Sequence, residues 1–248
     1  MTTAPISFGF APGETLVVTG AGSGIGRAVA QRGLELGLNV SAWDLRADGL
    51  TALAAEVSSD APLHTYVADI SDAAAVEAGF AEVTQRFGIP ALLANNAGPP
   101  SSVPIPYDEG LRISVGGTRT VTEAWAGLGL PAGAAMVATA SVAGNRIGTE
   151  SDWYSSAKAA VTGYVRHLAA HRADQFRSNA VAPGMTDTPR LTGFAESERG
   201  QSVLQRIPLG RMGSADDMAW AILFLLSPLA SYVNGTLLIV DGGWTVTQ

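Results

Sequence analysis

Cysteine is absent from the 248 residues, and charged residues make up only 15% of them. Without a thiol there is no disulfide scaffold and no thiolate metal site, and an intracellular setting is favoured. The net charge is −7, the pI is about 4.9 and no basic cluster occurs, which argues against nucleic acid as a partner. Long apolar runs are missing too: the most apolar helical stretch, 218–226, is too short to span a bilayer. The opening MTTAPISFGFAPGE lacks the basic region and apolar run of a signal peptide, so a soluble, cytoplasmic protein without membrane attachment is expected. Lysine is the scarcest charge. Of the fifteen basic residues only Lys158 is Lys.

What is present is a packed-core composition, with 47% hydrophobic residues. Short runs rich in Val, Leu and Ala alternate with amphipathic stretches. Strands are expected at 15–19, 39–43, 64–68, 91–94, 135–140, 178–182 and 236–240. Helices are expected at 25–36, 49–57, 72–87, 108–125, 152–173 and 215–226, with Ser71 as the N-cap of the third. This alternation implies an α/β fold: a Rossmann-type, doubly wound sheet of about seven parallel strands with helices on both faces. Apolar runs without a period of two fit strands covered on both sides. A polar segment, 185–206, interrupts the alternation and reads as a small substrate-binding lobe on a single domain spanning 1–248.

Three features carry chemistry. Lys158 follows Tyr154 by four residues on an expected helix, so the ammonium and the phenol share a face. A positive charge there favours the ionised phenol and suits the Tyr to acid/base work. Taken alone, such a pair is more often an ordinary surface Tyr and Lys one turn apart, and the rest of the sequence must decide. Between the first strand and first helix lies Thr19-Gly20-Ala21-Gly22-Ser23-Gly24-Ile25-Gly26, a turn that lets main-chain N–H groups approach a pyrophosphate. Asp44 ends the second strand, 18 residues past Gly26. A carboxylate there accepts ribose hydroxyls and repels a 2′-phosphate, favouring NAD over NADP, though Arg46 nearby softens the preference and a turn role for Asp44 stays open.

Together these motifs resemble the short-chain dehydrogenase/reductase family over nearly the whole chain. Its TGxxxGxG corresponds to Thr19–Gly26, its NNAG to Asn95-Asn96-Ala97-Gly98, and its catalytic Ser to Ser141, 13 residues before Tyr154. Pro183-Gly184 and the ending Val240-Asp241-Gly242-Gly243 match as well. The resemblance implies cofactor contacts from Gly20, Ser23, Gly24, Ile25 and Gly26, and from Asp44 and Leu45. It implies adenine contacts from Asp69 and Ile70, others from Asn96, Ala97, Gly98, Pro183 and Gly184, and nicotinamide-side contacts from Thr186 and Thr188. It makes Ser141, Tyr154 and Lys158 catalytic, with Ser holding the substrate oxygen, Tyr exchanging its proton and Lys binding the nicotinamide ribose. One position departs from the pattern: Ser114 stands where the family has a fourth catalytic residue, an Asn. That residue acts in the family through its main-chain carbonyl, which holds a water contacting the Lys, so an active enzyme with a modified proton relay is expected.

The activity implied is NAD-dependent interconversion of a secondary alcohol and a ketone, in a homotetramer contacting through the 152–173 helix and the last strand. The alternatives are a 3-oxoacyl-thioester reductase of the same family, and a non-catalytic nucleotide-binding protein. A halide-expelling relative is excluded, because it keeps Arg at the Lys158 place and loses the glycine turn. His167 and His171 have chelating i,i+4 spacing but no third ligand, so a solvated or interface face is expected. His64 is expected to be structural, and no metal is expected. Trp153 is assigned equally to pocket shaping and to packing. Met185, Leu191 and Phe194 suggest an apolar lid and an apolar small-molecule substrate.

Overall fold

β1 (Thr15–Thr19) is buried at all five positions, as a strand covered on both faces must be. Its alternate residues serve two cores. Leu16 and Val18 pack with Val29, Leu50, Leu53 and Ile222 on one face, while Val17 packs with Phe80, Val121, Trp125 and Val165 on the other. The computed structural model describes residues 7–191 and 193–247.

In chain order the elements are β1, α1 (Gly24–Glu35), β2 (Asn39–Asp44), α2 (Ala47–Glu56), β3 (Leu63–Val67), α3 (Ala73–Phe87) and β4 (Leu92–Asn95). There follow α4 (Tyr107–Leu111), a π-helical segment (Arg112–Gly116), α5 (Gly117–Ala126), β5 (Ala135–Thr139), α6 (Asp152–His171) and β6 (Arg177–Pro183). Two-residue strands β7 (Thr186–Asp187) and β8 (Gly213–Ser214) enclose α7 (Glu198–Leu204), and α8 (Ala215–Leu226) leads to β9 (Leu237–Val240). The sheet is parallel throughout, in the order β3-β2-β1-β4-β5-β6-β9. Strand order reverses between β1 and β4. The crevice above their carboxyl ends is where ligands bind in open α/β sheets.

Three expectations are corrected. Asp72, not Ser71, caps α3: its Oδ1 accepts from Ala74 N at 3.0 Å and Ala75 N at 3.2 Å, while Ser71 donates to Asp69. The helix expected at 108–125 contains the π segment, so its hydrogen-bond ladder shifts around Ser114. The Thr118 hydroxyl donates to Ser114 O at 2.7 Å at that shift. The polar segment 185–206 carries β7, a 3₁₀ turn at Pro189–Leu191 and α7. Finally, β6 is longer than 178–182, beginning at Arg177. The Arg177 guanidinium explains that start, because it donates to the carbonyls of Leu225, Leu226 and Ser227 and so closes the C-terminal end of α8.

Among the described residues no helix is long and apolar enough to cross a membrane.

Candidate active site

The glycine turn is shaped by conformations that side chains resist. Gly20 and Gly24 have φ of +70° and +54°. A Cβ on Gly26 would run into the Gly20 carbonyl, so this glycine lets α1 start directly behind the turn. Ser23 is the N-cap residue of α1 but gives no side-chain cap, and the first turn holds no acid. Unshared first-turn N–H groups and the helix dipole favour an anion there. The donor set and the room over the turn fit a dinucleotide pyrophosphate.

Asp44 faces the same turn. Its Oδ2 accepts from Gly22 N at 2.9 Å and its Oδ1 from Arg46 N at 3.0 Å, which fixes the carboxylate beside the glycines. A side chain at Gly22 would collide with it. The Arg46 guanidinium leans away to Asp48, 3.8 Å distant, with both side chains exposed.

β1, β4 and β5 are laced together at their ends. Thr19 Oγ1 accepts from Asn96 N and Ala97 N, both at 3.0 Å, and donates to Asn95 Oδ1 at 3.3 Å. Asn95 Nδ2 then reaches Thr118 O at 2.9 Å, toward the π segment. Asn96 uses both ends of its amide, donating to Thr19 O at 3.2 Å and accepting from Thr139 Oγ1 at 3.0 Å. Thr139 O in turn accepts from Lys158 Nζ at 2.8 Å. The ammonium lies over the Tyr154 ring, 5.6 Å from its centroid. Thr19 and Thr139 are thus site residues that motif reading left without a role. The signal for Thr139 was its place two residues before Ser141, with its carbonyl at a strand end.

Ser141 is buried just past β5, and its Oγ accepts from Ala143 N at 3.1 Å. With that lone pair engaged, the hydroxyl proton is free to be donated into the cleft. Tyr154 and Lys158 enter from α6, whose first turn Ser151 caps through Tyr154 N at 3.4 Å. Trp153 is a packing residue behind this pair: its ring meets Tyr154 edge-on and fits against Gly110, where a Cβ would collide.

These groups line one cleft of about 670 Å³. It brings together Gly20, Ser23, Gly24, Ile25, Asn96, Ser141, Tyr154, Lys158, Pro183, Gly184, Thr186 and Thr188. Thr188 lies opposite Gly24, its methyl 3.3 Å from where a Cβ on Gly24 would be. Gly26, Asp44, Leu45, Asp69, Ile70, Ala97, Gly98 and Ser114 are outside the lining. Leu45 is exposed, Asp69 is bonded to Ser71, and Ile70 packs against Gly117. Ser114 is buried in the π segment, which packs on α6. The far end of the cleft is apolar, with Val142, Ile147, Met185, Leu191, Phe194, Val203 and Trp244, and it also takes in Glu150 and Arg206. His167 and His171 are exposed neighbours on α6, and no metal-binding group of three forms among the described residues.

Known proteins resemble this chain in sequence and fold. A family model described as enoyl-(acyl carrier protein) reductase matches residues 20–245. Levodione reductase of Leifsonia aquatica is 36% identical over 250 residues, covering 93% of each chain. D-threitol dehydrogenase of Mycolicibacterium smegmatis is 34% identical over 243 residues, covering 94% of each. A solved short-chain dehydrogenase/reductase from Brucella melitensis, described as glucose/ribitol dehydrogenase, superposes with a TM-score of 0.87 at 31% identity. The match covers 96% of this chain and 99% of that one.

Proposed function

This chain belongs to the short-chain dehydrogenase/reductase family of nicotinamide-dependent oxidoreductases, and we propose that it interconverts a secondary alcohol and a ketone with NAD. One observation carries the reading. Ser141, Tyr154 and Lys158 converge on the cleft that the glycine turn opens, with Lys158 Nζ held over the Tyr154 ring. The nicotinamide, when bound, supplies or takes up the hydride.

The chain's own residues do the rest. The Ser141 hydroxyl donates to the substrate oxygen and holds it beside the phenol. Tyr154 gives its proton to that oxygen in the reductive direction and takes it back in the oxidative one. The Lys158 ammonium stabilises negative charge on the phenol oxygen, and Thr139 O keeps it in place. Ser114 serves through its main chain. Its carbonyl already takes the Thr118 hydroxyl, so replacement of Asn by Ser leaves the backbone group there and alters the relay around it. Asp44 repels a 2′-phosphate, while Arg46, the cation two residues on, is paired at 3.8 Å with the exposed Asp48. Asp69 and Ile70 would hold the adenine side of the cofactor and Thr186 and Thr188 its nicotinamide side, with Leu45, Ala97, Gly98, Pro183 and Gly184 as further cofactor contacts.

The 185–206 segment acts as the substrate lobe. Leu191, Phe194 and Val203 line the same cleft as the catalytic side chains and suit an apolar ketone. β9, partly exposed at all four residues, and α6 are the surfaces through which a homotetramer would form.

A panel of cyclic, aliphatic and 3-oxoacyl-thioester ketones, run with NADH and with NADPH at the reduced-nicotinamide absorbance band, tests the reading. Turnover of simple ketones with NADH is expected. Cofactor binding without turnover of any substrate overturns the enzyme assignment, and preference for a thioester or for NADPH overturns the finer one.

A further inference from the structure

The chain after Ser141 turns back on itself. The amides of Asn145, Arg146 and Ile147 all point to Val142 O, and Gly144 N donates to Ile147 O. Gly144 has φ of +74°, and a Cβ there would run into the Ser155 carbonyl of α6. The turn therefore lies directly on the helix that carries Tyr154 and Lys158. One side chain fastens it. Asn145 Nδ2 donates to Ser141 O at 2.9 Å and to Lys158 O at 3.1 Å. Both partners are carbonyls, which only accept, so the amide nitrogen must face them and the amide oxygen cannot take its place.

We propose that Asn145 is a positioning residue that holds Ser141 in register with the Tyr154–Lys158 face of α6. The inference rests on the oxidoreductase reading and adds to it a residue that touches neither substrate nor cofactor. Ser141 and Lys158 reach the cleft from different elements, so their spacing depends on links between those elements. The Lys158 Nζ bond to Thr139 O is one such link, and it uses the ammonium itself. The Asn145 link joins the main chains of the two catalytic residues and works whatever the ammonium is doing. Displacing reacting groups by about 1 Å costs on the order of a hundredfold in rate.

Asn145→Ala and Asn145→Asp test this, the second because a carboxylate of the same shape cannot donate to either carbonyl. Both are compared with wild type at saturating NADH and ketone. The expected result is a kcat lower by roughly tenfold to a hundredfold, with NADH affinity by fluorescence titration unchanged. The primary isotope effect with NADH deuterated at C4 rises, because chemistry becomes the slower step. A lowered melting temperature with unchanged kcat and isotope effect would mean a purely structural tie and overturn the proposal. An equal loss in kcat and NADH affinity would overturn it too, since the damage would then extend beyond Ser141. If Asn145→Ala does not fold, Asn145→Asp and Asn145→Ser carry the same comparison. An inert wild type across the ketone panel removes the oxidoreductase reading and this proposal with it. An active wild type with an equally active Asn145→Ala removes the proposal alone.

Discussion

The two ends of the cleft are made of different material. At the glycine turn the surface is main chain: amides of the turn, the first turn of α1, and strand ends tied by Thr19 and Asn96. At the Phe194 end it is side chains carried on the 141–151 loop and the 185–206 segment. A main-chain surface constrains which residues can build it, since only glycine accepts φ of +70° at Gly20 or the close approach at Gly26. A side-chain surface constrains little beyond being apolar. The first end therefore identifies a cofactor class, while the second defines a shape and leaves substrate choice to a few replaceable residues.

Substitutions should separate the two ends by what they change. Between them stands Tyr154, and Tyr154→Phe is expected to lower kcat by about a hundredfold to ten-thousandfold while NADH still binds, as fluorescence titration would read. Weakened NADH binding of the same size would move Tyr154 to the cofactor end. At the turn, Asp44→Ser removes a charged hydrogen-bond acceptor and should cut the preference for NADH over NADPH by roughly tenfold to a hundredfold in kcat/KM. An unchanged ratio would make Asp44 a turn residue only. At the far end, Phe194→Ala should raise KM for apolar ketones by up to about tenfold and leave both cofactor constants alone. A changed cofactor preference in that variant would dissolve the distinction.

The smallest effect lies outside the cleft, on β2 and β3. Trp43 Nε1 donates to Ser41 Oγ at 2.7 Å, and the same hydroxyl is hydrogen-bonded to His64 Nδ1 at 2.9 Å. Burial holds His64 below its ordinary value, partly offset by Glu82. The neutral imidazole is therefore the form that suits the fold. Its contribution is intact above about pH 6.5, the ordinary His value, and is lost as pH falls through that value toward the lower folded one. Melting temperature should decline between pH 7 and pH 5, and His64→Gln should flatten that slope. An equal slope in both proteins would place the sensitivity elsewhere.

The sequence was most readable where local chemistry decides structure. Alternating apolar runs gave the strand set, and the strand-end positions of the glycine turn, Asn96, Ser141 and Pro183 placed them on one crevice. The π segment was invisible because a one-residue shift in the ladder leaves the apolar pattern of 108–125 nearly intact. Ser71 and Asp72 are adjacent residues of equal capping ability, and only the turn through Asp69 selects between them. Arg177 closing α8, and Asn145 bridging Ser141 and Lys158, are single long-range contacts with no periodic trace.

Hydride transfer beside Ser141, Tyr154 and Lys158, between the two ends, is the central claim, and isotope transfer tests it most directly. The wild-type chain is incubated with a ketone from the panel and NADH deuterated at the transferring C4 position, and the product is read by NMR. Deuterium on the carbinol carbon is the expected result. An alcohol without deuterium there, or bound NADH with no alcohol at all, would contradict it.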